Sequence, residues 1–303
     1  MVRSFSSSRR QFQAHCLWFV LLVLLAACAT TAAQQAPARP MVIRDQAEGK
    51  AYMDALDTQD PTSRAEALEA FAQQYPQSVV FKDALEQEMV AWQAAGDSVK
   101  VKKVAKRLLA ADPDNVRVLG IVVALDRVSA MQGDTDALNE MCVDASGGML
   151  AVPLWRKPSN MTDADFAALS KLMNSIFVGA EGFCAVEQKN YSQAKDWLAR
   201  ALQIDPANVQ DMDQLAIADL ESAPLDANGF WYCARAIDLA QSAAIPQDVS
   251  CMTAYCMKKY VSYHGAGDGW DALVAAAASH QAPPANFARQ IKPAPAATAP
   301  PQK

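Results

Sequence analysis

Three histidines, seven cysteines and 33 acidic side chains are the raw material for chemistry in this chain of 303 residues. Acid–base or metal chemistry needs such groups gathered at set spacings, and the spacings here point elsewhere. His15 lies within the N-terminal signal, just before its apolar run, His280 borders a proline-rich end, and His264 precedes Gly265-Ala266-Gly267-Asp268-Gly269. The Gly-x-Ser-x-Gly nucleophile turn, the His-Glu-x-x-His zinc motif and the calcium-loop pattern do not occur in the sequence. The glycines after His264 follow no strand and precede no Lys-Ser/Thr pair, so they read as a turn between helices, not a phosphate loop. His264 is then a last-turn residue, favoured by the helix dipole, with a glycine C-cap behind it. The competing use of the same stretch is a catalytic pocket joining His264, Asp268 and Asp271. Acidic pairs such as Glu66/Glu69 and Glu86/Glu88 fit a solvated helix face better than a catalytic dyad. No catalytic residue, cofactor site or metal site is assigned.

Five cysteines lie well inside the chain: Cys142, Cys184, Cys233, Cys251 and Cys256. No Cys-x-x-Cys pair exists to hold a metal. Cys251 and Cys256 point about 140° apart on a helix and are not expected to bridge each other; buried thiols are expected for most of the five. Two further groups stand out. The aromatics Phe230, Trp231, Tyr232, Tyr255, Tyr260, Tyr263 and Trp270 recur at helical spacing, as core residues do, with a peptide- or sugar-stacking surface through Trp231 and Trp270 as the alternative. The basic run Lys100, Lys102, Lys103, Lys106 and Arg107 reads as a solvated helix face, or as a surface for anionic lipid or an acidic partner.

The first 27 residues read as an export signal. Arg3, Arg9 and Arg10 precede an apolar run from Cys16 to Ala27, shorter than the roughly 20 apolar residues a spanning helix needs. The run closes on Leu25-Ala26-Ala27-Cys28, which resembles a bacterial lipobox. That resemblance implies a mature chain beginning at Cys28 and held on a membrane by acyl chains on that residue. The alternative is an ordinary signal cut after Ala29 or Ala33. Ser8-Arg9-Arg10-Gln11-Phe12 resembles a twin-arginine signal, whereas the hydrophobicity of the run suits general secretion. Loss of residues 1–27 removes three arginines and no acids, taking the formal net charge from −6 to −9. An acidic chain is poorly suited to non-specific nucleic-acid binding, and no nucleic-acid partner is expected.

The elements that position these residues are helices. A content of 51% hydrophobic and 20% charged residues supports a packed core, and 12 glycines with abundant alanine favour helix over sheet. Four short motifs punctuate the chain: Pro76-Gln77-Ser78-Val79, Pro113-Asp114-Asn115-Val116, Pro206-Ala207-Asn208-Val209 and Pro284-Ala285-Asn286-Phe287. Proline stops one helix, and the Asn or Ser two residues later caps the next. Helical patterns cover 44–58, 62–74, 78–95, 98–111, 115–132, 135–142, 163–188, 191–204, 208–221, 227–243, 247–264 and 268–279. Thr162-Asp163-Ala164-Asp165 opens the long one as a capping box.

Segment 178–206 resembles the tetratricopeptide repeat family. Gly182, Tyr191, Ala194, Ala201 and Pro206 fill the family's small, aromatic and closing-proline positions. The small residues let two antiparallel helices approach closely, and a larger side chain there would overpack. In this register Lys195 faces outward. A second copy is read at Ala272, Ser279 and Pro284, 78 residues further on, with Trp270 near its turn; a weaker third runs from Lys82 to Pro113. The closing prolines are 37, 93 and 78 residues apart, against a family period of about 34, so the array is irregular.

The fold expected is therefore all-α, an α-solenoid of antiparallel helical hairpins forming a right-handed superhelix. Its organisation is a signal at 1–27, a linker at 28–43, N-terminal repeats at 44–142, a loop insertion at 143–161, a C-terminal repeat block at 162–282 and a Pro/Ala-rich disordered tail at 283–303. The resemblance implies a non-enzymatic scaffold at the bacterial cell envelope, periplasmic and lipid-anchored to the outer membrane, with a protein or peptide partner in its concave groove. The alternative is a cell-wall hydrolase or carbohydrate-binding protein using the aromatic C-terminal hairpins.

Overall fold

The computed structural model describes residues 43–159, 161–243 and 246–294, without the side chains of 246–248. Among them 76% are helical, no strand occurs, and 13 α-helices pack in consecutive pairs. The signal, Cys28, nearly all of the linker and residues 295–303 lie outside the described residues. The chain divides into two compact units: residues 43–130 with 134–177, and residues 178–294 with 131–133. The division falls inside one long helix, not in the expected 143–161 insertion.

The N-terminal unit holds α1 (Gln46–Asp57), α2 (Pro61–Gln74), α3 (Phe81–Ala95), α4 (Ser98–Ala111), most of α5 (Val116–Met131), α6 (Thr135–Ala151) and the first part of α7 (Asp163–Glu187). Local chemistry sets the boundaries. Asp45, Asp60, Asp97 and Asp134 each accept backbone N–H bonds from the first turn of the helix that follows, groups that would otherwise lack partners. Gly96 closes α3 with φ of 76°, a left-handed conformation that a Cβ disfavours. The apolar faces of α2 to α5 meet around Leu85, Trp92, Val104, Leu108 and Val122, while Tyr52, Leu68, Phe71 and Ala84 form a second cluster.

The glycines at 147 and 148 do not mark a loop. Helix α6 runs through them to Ala151, and a single 3₁₀ turn (Val152–Leu154) follows. Gly148 is a packing residue, since the Phe177 ring occupies the place its Cβ would take. The loop is confined to the residues after Leu154, and Thr162 Oγ1 then accepts from Asp165 N at 3.1 Å to open α7 as expected.

The C-terminal unit holds the rest of α7 and α8 (Tyr191–Ile204), α9 (Val209–Glu221), α10 (Asn228–Ser242), α11 (Pro246–His264), α12 (Trp270–Ala278) and α13 (Phe287–Gln290). Asn190 and Asn208 cap α8 and α9 through Gln193 N and Asp211 N, and Asn115 serves the same way for α5 through Val118 N. The proline punctuation works as read at Asn115 and Asn208; Ser78 bonds only Val80 N, ahead of α3, and Asn286 makes no cap bond to α13. Gly182 meets Leu198 so closely that a Cβ would lie 2.5 Å from its Cγ, and Ala194 and Ala201 are fully buried. The C-terminal copy keeps no such register. Ala272 and Ser279 are exposed, and Leu273 and Ala277 face inward instead. The alanine run of α12 carries too little contrast in size to reveal its buried face.

Two more expectations are corrected. Cys233 and Cys256 form a disulfide between α10 and α11, and Cys142 and Cys184 are also disulfide-bonded, so buried thiols are not the rule. Helical spacing rates neighbours on one helix but cannot see cysteines brought together from two. The expected disordered tail is structured as far as Ala294: Phe287 is buried, and Ala288 and Ile291 pack with it against the C-terminal core. A Pro/Ala-rich composition hid two apolar side chains that have a place to go.

Candidate functional site

The C-terminal unit carries an open cleft of about 660 Å³. Its walls are the turn into α8 (Lys189 to Ser192, with Lys195), the 222–227 loop, Tyr263 and Ala288. Helix α9 supplies the chemistry beneath. It is buried almost all round from Asp211 to Leu220, so its polar residues enter the interior with it. Asp219 is one of them, 3% exposed.

The loop after α9 folds back on that residue. Asp226 N donates to the Asp219 carbonyl at 3.0 Å, and Ser222 Oγ donates to the same carbonyl at 2.7 Å. Asp226 in turn accepts from Asn228 N at 3.0 Å at the entry to α10. Gly229 lets α10 close onto α9, because a Cβ there would lie 2.8 Å from Asp219 Cβ and 2.9 Å from the Ala216 carbonyl oxygen. This close approach is what seals Asp219 from solvent.

One cation serves two acids at this place. Lys195 Nζ lies 3.5 Å from Asp219 Oδ1 and 3.6 Å from Asp226 Oδ2. Burial, with the negative Asp226 nearby, pushes the Asp219 carboxyl up to about 7, and Lys195 only partly offsets this. Burial and the same two carboxylates also raise the Tyr232 hydroxyl, which stays protonated. Asp219 can therefore exchange a proton near neutrality, while Lys195 and Asp226 face the cleft. Strongly shifted groups cluster at functional sites, though structural ion networks also produce them.

Among the residues singled out from sequence, Tyr191 lines this cleft, and Gly182, Ala194 and Ala201 build the α7–α8 seam behind it. Pro206 and Pro284 sit in turns before α9 and α13. Lys195 is not an outward residue. Lys195, Asp219 and Asp226 were missed together, and the signal for them was an acid set between Ala218 and Leu220 in the apolar second half of α9.

The other candidates disperse. His264 ends α11 with Gly265 at φ of 93° behind it, as read, and its Nδ1 donates to the Lys292 carbonyl at 3.0 Å. Trp231 and Trp270 are 2% and 3% exposed, so they offer no stacking platform. The basic run is paired within the N-terminal unit, with the Lys103 and Lys106 side chains still largely solvated. Lys102 pairs with Asp126 and Glu140, Lys103 with Glu69, Lys106 with Glu140 and Arg107 with Glu88. Lys100 lies 3.6 Å from the centre of the Trp92 ring. The run is a largely solvated helix face that also pairs helix to helix.

Among the described residues no group of three or more His, Cys, Asp and Glu is placed to hold a metal, and no helix is long and apolar enough to cross a membrane. The fold and the cleft define an all-α protein of consecutively paired helices. No family model, curated protein or solved structure matches the chain.

Proposed function

We propose that this chain is a tetratricopeptide-like α-solenoid with a right-handed superhelix, acting as a non-enzymatic scaffold at the cell envelope. In this reading Cys28 is acylated and holds the protein on the outer membrane, and a peptide or protein partner occupies a concave groove that includes the C-terminal cleft. The observation that carries it is the α7–α8 hairpin. Gly182 packs on Leu198, Ala194 and Ala201 are fully buried, and the cleft opens at the turn where Tyr191 stands. Paired helices with small-residue seams offer extended surfaces to other chains.

A photo-crosslinking amino acid at Ser192 or Leu225, on the cleft wall, should trap a defined envelope protein in cells, and the same group at exposed Leu150 of the other unit should not. Identical products from all three positions, or none, would remove the reading.

A hydrolase is the second reading, supported by Asp219 titrating at about 7 beside Lys195 and Asp226. Asp219 is sealed beneath the cleft wall, whereas a general acid must reach the proton it moves, so the scaffold reading is preferred. Cell-wall polymer cleavage by the purified chain, abolished in Asp219→Asn with the fold intact, would reverse that preference.

A further inference from the structure

The segment after α12 behaves as a strap laid on its own unit. Ser279 to Asn286 is mostly exposed and contains Pro283 and Pro284, so it can swing without unwinding α12. Beyond it, Phe287 inserts into the core with its ring 5.1 Å from that of Trp231, edge to face. Ile291, four residues later, packs against the same cluster. Arg289, Gln290 and Lys292 between and beside them are exposed. Ala288 packs beside them, and two further anchors hold the strap's main chain: Ala294 N donates to the Tyr263 carbonyl at 2.7 Å, and His264 Nδ1 donates to the Lys292 carbonyl at 3.0 Å. The receiving surface thus reads one aromatic side chain, one aliphatic side chain, a small residue beside the aromatic, and peptide backbone, which a short peptide of that pattern presents.

The fit is incomplete. Helix α13 has four residues and no side-chain cap. The indole N–H of Trp231, the residue that Phe287 covers, is buried without an acceptor among the described residues, and such a group is costly to leave unpaired. A peptide that supplied an acceptor there would hold the groove better than the strap does. The strap is also placed to control the cleft, because Ala288 and Tyr263 form part of its wall.

We infer that residues 283–294 are a built-in ligand. They occupy a groove on α10–α12 that takes a one-turn peptide helix with an aromatic and an aliphatic side chain four positions apart, and an external peptide of that pattern binds by displacing them. The inference rests on the scaffold reading and names the chemistry of its partner.

The probe is a fluorescent synthetic peptide copying residues 283–294, titrated by anisotropy against the full chain. The wild-type chain should bind it weakly. The full-length Phe287→Ala, Ile291→Ala variant, whose own strap is released, should bind it at least tenfold more tightly, and the same peptide with alanine for its phenylalanine should bind neither. Equal affinity for the two proteins, or no binding to the variant, overturns the inference. Hydrogen exchange on the wild-type chain covers the case in which the variant misfolds. The amides of Phe287 and Ala294 should exchange well before those of α10, and exchange of both in one cooperative step with α10 would mean that the strap is core and not ligand. Domain exchange with a second copy, seen as a dimer by light scattering that Phe287→Ala dissolves, would also overturn it. The crosslinking at Ser192 and Leu225 can succeed while the strap fails to exchange, so the two readings fail separately.

Discussion

In the N-terminal unit Lys102 stands 2.5 Å from Asp126 and 2.8 Å from Glu140, and Lys106 gives Glu140 a second cation at 2.7 Å. In the C-terminal unit Lys195 alone serves Asp219 and Asp226, at 3.5 and 3.6 Å. Asp126 and Asp219 are both almost fully buried, and burial raises both carboxyls. The difference lies in the supply of positive charge. The run on α4 gives a cation to Glu69, Glu88, Asp126 and Glu140, and these pairs fasten helices together. The site around Asp219 has one cation for two carboxylates, and the imbalance sits at the wall of a cleft. A dense charge run in sequence is therefore the better compensated region in three dimensions, and the sealed Asp219 of α9 the less compensated one.

The largest expected effect tests this directly. Asp219 has a folded pKa of about 7 against an ordinary 3.8. Between those values the folded chain keeps a proton that the unfolded chain has lost. The stabilising contribution is complete below about pH 4 and is lost as the pH rises towards 7, a change on the order of 4 kcal/mol. Asp219→Asn cannot lose that proton, so it should flatten the decline, measured by urea unfolding across pH 4.5–8. An unchanged slope in the variant would break the contrast between the units.

The next effect concerns how tightly helices meet. Gly229→Ala places a methyl 2.7 Å from Leu220 Cγ and 2.9 Å from the Ala216 carbonyl oxygen, and should cost about 1–3 kcal/mol. Gly147→Ala in α6 meets nothing within 4 Å and should stabilise by about 0.5–1 kcal/mol through helix propensity. Melting temperatures moving in opposite directions would sharpen the comparison, and a parallel shift would contradict the close approach of α10 to α9.

The smallest effect separates shared from redundant charges. Lys106→Ala leaves Glu140 still paired with Lys102 and should change stability by no more than about 0.5 kcal/mol. Lys195→Ala strands Asp219 and should cost more, with Asp219 titrating higher still. Equal chemical-denaturation midpoints for the two variants would show that Lys195 is as dispensable as a surface lysine.

The helices were legible because their signals are local. A proline stop, an Asn, Ser or Asp cap and an apolar period of 3.6 residues each lie within one or two turns, and α4 and α8 begin and end where the pattern places them. Gly182, Ala194 and Ala201 were legible for a related reason, since close helix contact admits only small side chains. Three things depended on what other parts of the chain supplied. Gly148 sits within a helix because Phe177 fills the space beside it. Ala272 is exposed although its type matches the buried Ala194, because exposure is decided by the neighbouring helix and not by the residue. Cys233 meets Cys256, and Lys195 meets Asp219, only once α10 lies against α11 and α9 against α8. By itself, the sequence determined where the chain is helical and where it turns, because those choices are made between near neighbours. Only the tertiary structure decided which acid is sealed away with too little positive charge, because burial and field at a side chain depend on everything packed around it.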